Sequence, residues 1–195
     1  MKMVVIEKIV YNGTNSYLII SGDRACLIDV SAPLSMVEKF LKNVKLEYIL
    51  ITHAHMRHIQ YLREFRSSIN CKICIHKNEV TDFVKVFPDI EPDLKLKHMQ
   101  DVKITPIEIT VYHTPGHTEG SVCFEIRSLK ALFTGDTLLK DGFGKIRSPQ
   151  DMQKIVISLK MLSRSIPPET RIYPGHGEET VMGREVWLDG LDMLS

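Results

Sequence analysis

The chain has 195 residues, 44% of them hydrophobic, with 25 Lys and Arg against 24 Asp and Glu for a formal charge of +1. That length and composition suit one domain, residues 1–195, with a core of its own. The balanced charge offers no electrostatic footprint for nucleic acid or an anionic membrane surface, and no apolar run nears the roughly 20 residues a membrane-spanning helix needs.

Residues 3–10 read as a strand rich in β-branched residues, followed by the turn cluster Tyr11-Asn12-Gly13-Thr14-Asn15. Residues 16–21 and 24–30 flank Gly22-Asp23, the pattern of a hairpin with a two-residue loop. From Ser31 to Asn43 the period becomes helical, with Leu34, Val37, Phe40 and Leu41 on one face and Pro33 near the start. A continuous apolar run over 47–52 predicts a strand covered on both faces. Helices are expected over 58–68 and 78–87, with a strand over 71–76 between them. In the second half, 94–98, 102–112, 121–127 and 130–134 are strand-like. Residues 149–165 form the longest helical pattern, with Met152, Ile155, Val156, Leu159 and Leu162 on its buried face, and Ile166-Pro167-Pro168 ends it. A short strand at 171–173 and a helix over 180–194 complete the chain. Two halves that each mix strands and helices predict two sheets face to face with helices outside.

The chemistry gathers at loops after strands. Thr52-His53-Ala54-His55-Met56-Arg57-His58 puts three histidines within six residues just past the strand over 47–52. His117 lies in His113-Thr114-Pro115-Gly116-His117-Thr118, Asp136 in Thr134-Gly135-Asp136-Thr137, and His176 in Pro174-Gly175-His176-Gly177. A neutral imidazole is a good ligand for a divalent metal. On a loop, His53 and His55 can reach one ion together, and His117 would complete a three-histidine site with an open fourth position, the form of a catalytic zinc. His58, His176 and Asp136 can hold a second ion, with the Asp136 carboxylate bridging. Arg57 is the residue out of character, a cation inside a metal-binding run.

Other candidates have plainer readings. Cys71-Lys72-Ile73-Cys74 has metal or redox spacing, but on a strand residues three apart face opposite ways. Four cysteines (Cys26, Cys71, Cys74, Cys123) do not make a disulfide framework at this length, and the charges in Met1-Lys2-Met3-Val4-Val5-Ile6-Glu7-Lys8 break any leader core. A cytoplasmic protein is expected. His113 reads as a hydrogen bonder that shapes its loop, His76 and His98 as structural, and Tyr173 as packing or an oxyanion donor. Gly142-Phe143-Gly144-Lys145 borders a substrate pocket or forms a surface turn.

His53-Ala54-His55-Met56-Arg57-His58 resembles the His-x-His-x-Asp-His signature of the metallo-β-lactamase superfamily. The likeness continues, in order, through His113-Thr114-Pro115-Gly116-His117-Thr118-Glu119-Gly120-Ser121, Phe133-Thr134-Gly135-Asp136-Thr137-Leu138 and Tyr173-Pro174-Gly175-His176-Gly177. Asp29 falls where the family keeps a structural aspartate. The resemblance implies an α/β fold, a four-layer αβ/βα sandwich of two mixed β-sheets with the site along one edge. The motifs are closest to the hydroxyacylglutathione hydrolase (glyoxalase II) branch. That branch binds glutathione through a C-terminal helical region for which these 195 residues leave no room, so a glutathione thioester is not the expected substrate.

Arg57 departs from the signature, whose aspartate at that place binds the second metal and orients the attacking water. A guanidinium stays protonated and has no lone pair to donate. Pointing inward at about 4 Å from a dication, it would cost roughly 8 kcal/mol at an effective dielectric of 20. Either Arg57 turns away and leaves a weakened second site, or it replaces the second ion and pairs with Asp136. A single tightly held metal is therefore expected. Asp136 and Arg57 are the candidate catalytic residues; His53, His55, His58, His117, Asp136 and His176 are the candidate metal ligands. The expected activity is that of a metal-dependent hydrolase whose metal-bound hydroxide attacks an ester, thioester or lactone of a small molecule. The cofactor would be zinc, one or two ions, with iron as the other option. Two further readings remain: a mononuclear iron oxygenase, similar to the family's persulfide dioxygenases, using His53, His117 and Asp136; and a non-catalytic metal-binding member.

Overall fold

The computed structural model describes residues 3–194, and side chains over 3–191. Among the described residues, twelve strands form two six-stranded sheets. The first runs β1 (Val4–Tyr11), β2 (Thr14–Ser21), β3 (Arg24–Ile28), β4 (Lys45–Leu50), β5 (Lys72–His76), β6 (Leu94–Leu96), and the second takes β7 (Asp101–Ile104), β8 (Ile107–His113), β9 (Val122–Ile126), β10 (Ala131–Gly135), β11 (Arg171–Pro174) and β12 (Thr180–Val181). Both are mixed: β1, β2 and β3 pair antiparallel and β3 to β6 parallel, while β7 to β10 are antiparallel and β10 pairs with β11 in parallel.

Period-two alternation makes the layers. In the first sheet Ile19, Ile28, Leu50 and Cys74 face the second sheet and meet Val111, Phe124 and Phe133 there. Their neighbours Leu18, Leu27, Ile49, Ile73 and Ile75 face outward onto Val37, Ile59, Leu62, Phe65 and Phe83. These come from the short helices α1 (Leu34–Val37), α2 (Met56–Ile59), α3 (Leu62–Ser68) and α4 (Val80–Val86). On the far side Tyr112, Cys123, Leu132 and Ile172 pack against Ile155, Leu159 and Leu162 of α5 (Pro149–Ser165). The order helix, sheet, sheet, helix is the four-layer sandwich expected. Cys71 and Cys74 lie on opposite faces of the first sheet, and all four cysteines are buried and free. No helix among the described residues is long and apolar enough to cross a membrane.

Four expected elements differ. The strand over 102–112 is two strands, β7 and β8, turned at Thr105-Pro106, since proline cannot donate to a ladder. The helix over 58–68 starts earlier and breaks at Gln60-Tyr61 into α2 and α3. The helix over 31–43 shrinks to α1 and one 3-10 turn, Glu38–Phe40. The helix over 180–194 is the short strand β12 followed by 3-10 turns, Met182–Arg184 and Val186–Leu194.

Parallel pairing fixes the site. β3 and β4 run together, as do β10 and β11, so the loops carrying Asp29, His53, Asp136 and His176 leave their sheets at C-terminal ends. Two backbone hydrogen bonds join the sheets there, Val122 N–H to Thr52 O at 3.0 Å and Asn15 N–H to Gly175 O at 2.8 Å.

Candidate metal centre

His53, His55 and His117 converge, with ligand atoms within 4.8 Å of one another, and so do His53, His58 and Asp136. The three rings of the first group stand edge to face with centroids 4.6 to 4.8 Å apart. Asp136, at the end of β10, faces both groups. Its Oδ2 lies 3.4 Å from His117 Nε2 and 4.0 Å from His53 Nε2, and its Oδ1 lies 3.5 Å from His58 Nε2 and accepts from His176 Nδ1 at 2.7 Å. His176 thus joins the centre through Asp136. Gly175 lets this happen: a Cβ there would lie 2.6 Å from His58 Cε1 and 2.7 Å from Asp136 Oδ1.

Behind the ligands sits Asp29, buried in the left-handed region at φ 58°, where a short polar side chain is tolerated. Its carboxylate accepts from Thr52 N–H at 2.8 Å, from Thr52 Oγ1 at 2.7 Å and from His58 Nδ1 at 2.7 Å. Because the Thr52 hydroxyl gives its proton to Asp29, it accepts from His53 Nδ1 at 3.1 Å. Asp29 therefore orients two histidines, one directly and one through Thr52, and turns both Nε2 atoms into the centre. Both of those atoms are buried without a hydrogen-bond partner.

Burial, with the neighbouring histidines, holds His53 and His117 below the ordinary imidazole range and His55 at about 4, so these rings stay neutral near pH 7. Burial acts the same way on His58, but the Asp29 charge and hydrogen bond, with the Asp136 carboxylate 3.5 Å away, outweigh it and raise His58 to about 9. Burial would raise Asp136, yet its contacts with His176 and His58 hold it well below the usual carboxylate range. Orphaned imidazole nitrogens, three neutral rings and a central carboxylate are the donor set of a divalent metal site, and the residues fit one.

The family model of the metallo-beta-lactamase superfamily matches residues 10–176. The chain belongs to that superfamily. It is 32% identical over 165 residues to a hydroxyacylglutathione hydrolase of Pelagibacter ubique, covering 83% of this chain and 65% of that one, so it spans just under two thirds of that relative's length. It is 28% identical to the probable metallo-hydrolase YqgX of Bacillus subtilis, over 85% of this chain and 86% of the relative. Among solved structures, ETHE1 from Myxococcus xanthus superposes with a TM-score of 0.78 at 24% identity, covering 93% of this chain and 81% of that one.

Of the two placements open to Arg57 in this superfamily member, the structure has the one turned away from the centre. Arg57 does not replace a second ion by pairing with Asp136: its side chain is exposed, and the ion partners of Asp136 among the described residues are the four histidines His53, His58, His117 and His176. In α2, His58 and Ile59 are buried, while Met56 is exposed and the long Arg57 side chain carries its charge out to water. The Tyr173 ring packs, stacked on Phe133 and edge-on to Tyr17.

One residue the sequence reading missed reaches the centre. The Arg147 guanidinium, which only donates, lies 2.8 Å from His55 Nε2, so that nitrogen accepts and His55 carries its proton on Nδ1. His55 Nδ1–H then meets His117 Nε2 at 2.9 Å, and His117 Nδ1–H donates to Lys145 O at 2.9 Å. Arg147 stands two residues beyond the glycine-rich run that ends at Lys145, and proximity to that run is the one signal for it in the sequence.

Proposed function

We propose that this chain is a metal-dependent hydrolase acting on an ester, thioester or lactone of a small molecule. The observation that supports the reading best is the pair of buried, partnerless nitrogens, His53 Nε2 and His58 Nε2, aimed past Asp136. An unpaired buried polar atom is costly, and a metal bound at these nitrogens removes the cost, taking the lone pair of His53 and displacing the proton of His58. His53, His55 and His117 would hold a first metal; Asp136, His58 and His176 would hold a second one more weakly, since residue 57 offers no carboxylate. A divalent metal supplies Lewis acidity and lowers the pKa of water toward 7.

The chain's own residues do the rest. Asp136 presents one oxygen to each histidine group and fixes their separation. Asp29 and Thr52 hold the rings of His53 and His58 against rotation. A cavity of about 200 Å³ opens beside the triad, lined by His55, His117 and Arg147 and by four acidic residues, Glu79, Asp82, Glu119 and Asp151, with Ala54 and Thr118. Arg147 is the one Lys or Arg among these lining residues and, bonded to His55, is the group there that can meet an anionic part of the substrate.

A second reading rests on Asp136 Oδ2 lying 3.4 Å and 4.0 Å from His117 and His53. Two histidines and a carboxylate suit Fe(II), and with it an oxygenase acting on a thiol or persulfide. Protein loaded with zinc or with iron is assayed against thioesters, esters and lactones, and for oxygen uptake with a persulfide. The hydrolase reading expects turnover that His53→Ala and His117→Ala each reduce at least about 100-fold. Oxygen uptake by the iron form without hydrolysis in either form overturns it in favour of the oxygenase.

A further inference from the structure

A buried carboxylate that is not a ligand ties together the two loops that make the triad. Glu79 ends the 3-10 turn Lys77–Glu79 after β5 and is fully buried. Its Oε1 accepts from the N–H of Ala54, the residue between His53 and His55, at 2.8 Å. Its Oε2 accepts from Thr118 Oγ1 at 2.9 Å and from the N–H of Gly120 at 2.8 Å, on the loop that carries His117. Each oxygen thus takes a backbone N–H, which leaves the side chain acting as an ionised acceptor toward both loops. The first loop leaves one sheet and the second loop the other, so the separation of His55 from His117 is spanned by one side chain.

Two further contacts press the second loop onto the same platform. A Cβ at Gly120 would lie 2.4 Å from Glu79 N, an approach that only glycine allows. His76, at the end of β5, stacks on His113 with centroids 4.0 Å apart and planes at 16°, and His113 Nε2 bonds Glu119 O at 2.9 Å.

We propose that Glu79 is a positioning residue for the metal centre: its carboxylate sets the spacing between the His53/His55 loop and the His117 loop, and through it the affinity of the first metal. The proposal rests on the triad binding a metal. A glutamine at 79 has one oxygen, so its amide group would face either the Ala54 N–H or the Thr118 and Gly120 donors, and one loop is released. Glu185 provides a matched control. It too is buried and accepts from three donors, Asp141 N–H, Thr180 Oγ1 and Trp187 Nε1, none of them next to a ligand of the triad.

The test measures zinc affinity by chelator competition, the visible spectrum of the cobalt-loaded protein, and the melting temperature of the metal-free protein. The variants are Glu79→Gln, Thr118→Val and Glu185→Gln. Expected is a loss of zinc affinity of about tenfold or more for Glu79→Gln, the size typical of groups that hold metal ligands in place. A smaller loss in the same direction is expected for Thr118→Val, which removes one of the three bonds, together with an altered cobalt spectrum for both. Glu185→Gln should lower the melting temperature while leaving affinity and spectrum as in the wild type. Wild-type affinity and spectrum in both Glu79→Gln and Thr118→Val, or a loss in Glu185→Gln equal to theirs, overturns the role of Glu79 alone. A wild-type protein that takes up no zinc overturns the metal centre and this role with it.

Discussion

His58 lies between two carboxylates, bonded to Asp29 on one side and facing Asp136 on the other. Its pKa, raised to about 9 in the folded protein, makes its protonated form a stabilising element of the metal-free state. That contribution is complete below the ordinary imidazole value near 6.5 and is lost as pH rises through 9. His53, His55 and His117 act in the opposite sense: they are neutral when folded, and stability falls as pH drops below about 6.5 and they must charge. Denaturant unfolding of metal-free protein should show a maximum near pH 6.5 to 7, with a decline toward pH 9 on the order of 3 kcal/mol from His58. A profile that keeps rising to pH 9 contradicts this assignment.

Two arginines can be separated by their effects on metal binding. For His55 to ligate through Nδ1, its proton must move to Nε2, where it faces the Arg147 guanidinium, another donor. Arg147→Ala should therefore bind zinc a few-fold more tightly by chelator competition, and unchanged or weaker binding contradicts a competing contact. Arg57 is exposed and touches no ligand, so Arg57→Ala should leave the first metal alone. Arg57→Asp supplies the missing carboxylate and should retain a second equivalent after dialysis, counted by mass spectrometry.

At the scale of elements, legibility followed local signals. α5 matches its expected span because its signals agree: Ser148 Oγ accepts from Asp151 N–H, Pro149 opens the first turn, and the apolar residues keep helical period to Leu162. Leu159→Ala, in the core beneath it, should cost about 2–5 kcal/mol in denaturant unfolding, against less than about 0.5 kcal/mol for Ile157→Ala on its exposed face. Comparable losses would mean that α5 is not anchored by that face. The segments over 58–68, 102–112 and 180–194 depart from expectation where apolar residues continue across a break in backbone geometry. Pro106 was a signal of such a break; the one at Gln60-Tyr61 had none. The metal ligands were legible because each stands in a short glycine- or histidine-rich motif. Glu79 and Arg147 were not, since what places them is contact between segments 25 to 92 residues apart.

The molecule as a whole is two mixed sheets whose facing interiors close a core and whose C-terminal edges meet at one site. Neither half completes that site: His53, His55 and His58 come with the first sheet, His117, Asp136 and His176 with the second. The four-layer order was readable from alternating apolar faces, whereas convergence across the two sheets needed the parallel pairs β3–β4 and β10–β11. The most direct test is an anomalous-scattering map of crystals grown with zinc. The account predicts a strong peak bonded to His53 Nε2, His55 Nδ1 and His117 Nε2, and a weaker or absent second peak beside His58, Asp136 and His176. A map with no peak at the triad, or with zinc bound only at the His58, Asp136 and His176 group, would contradict it.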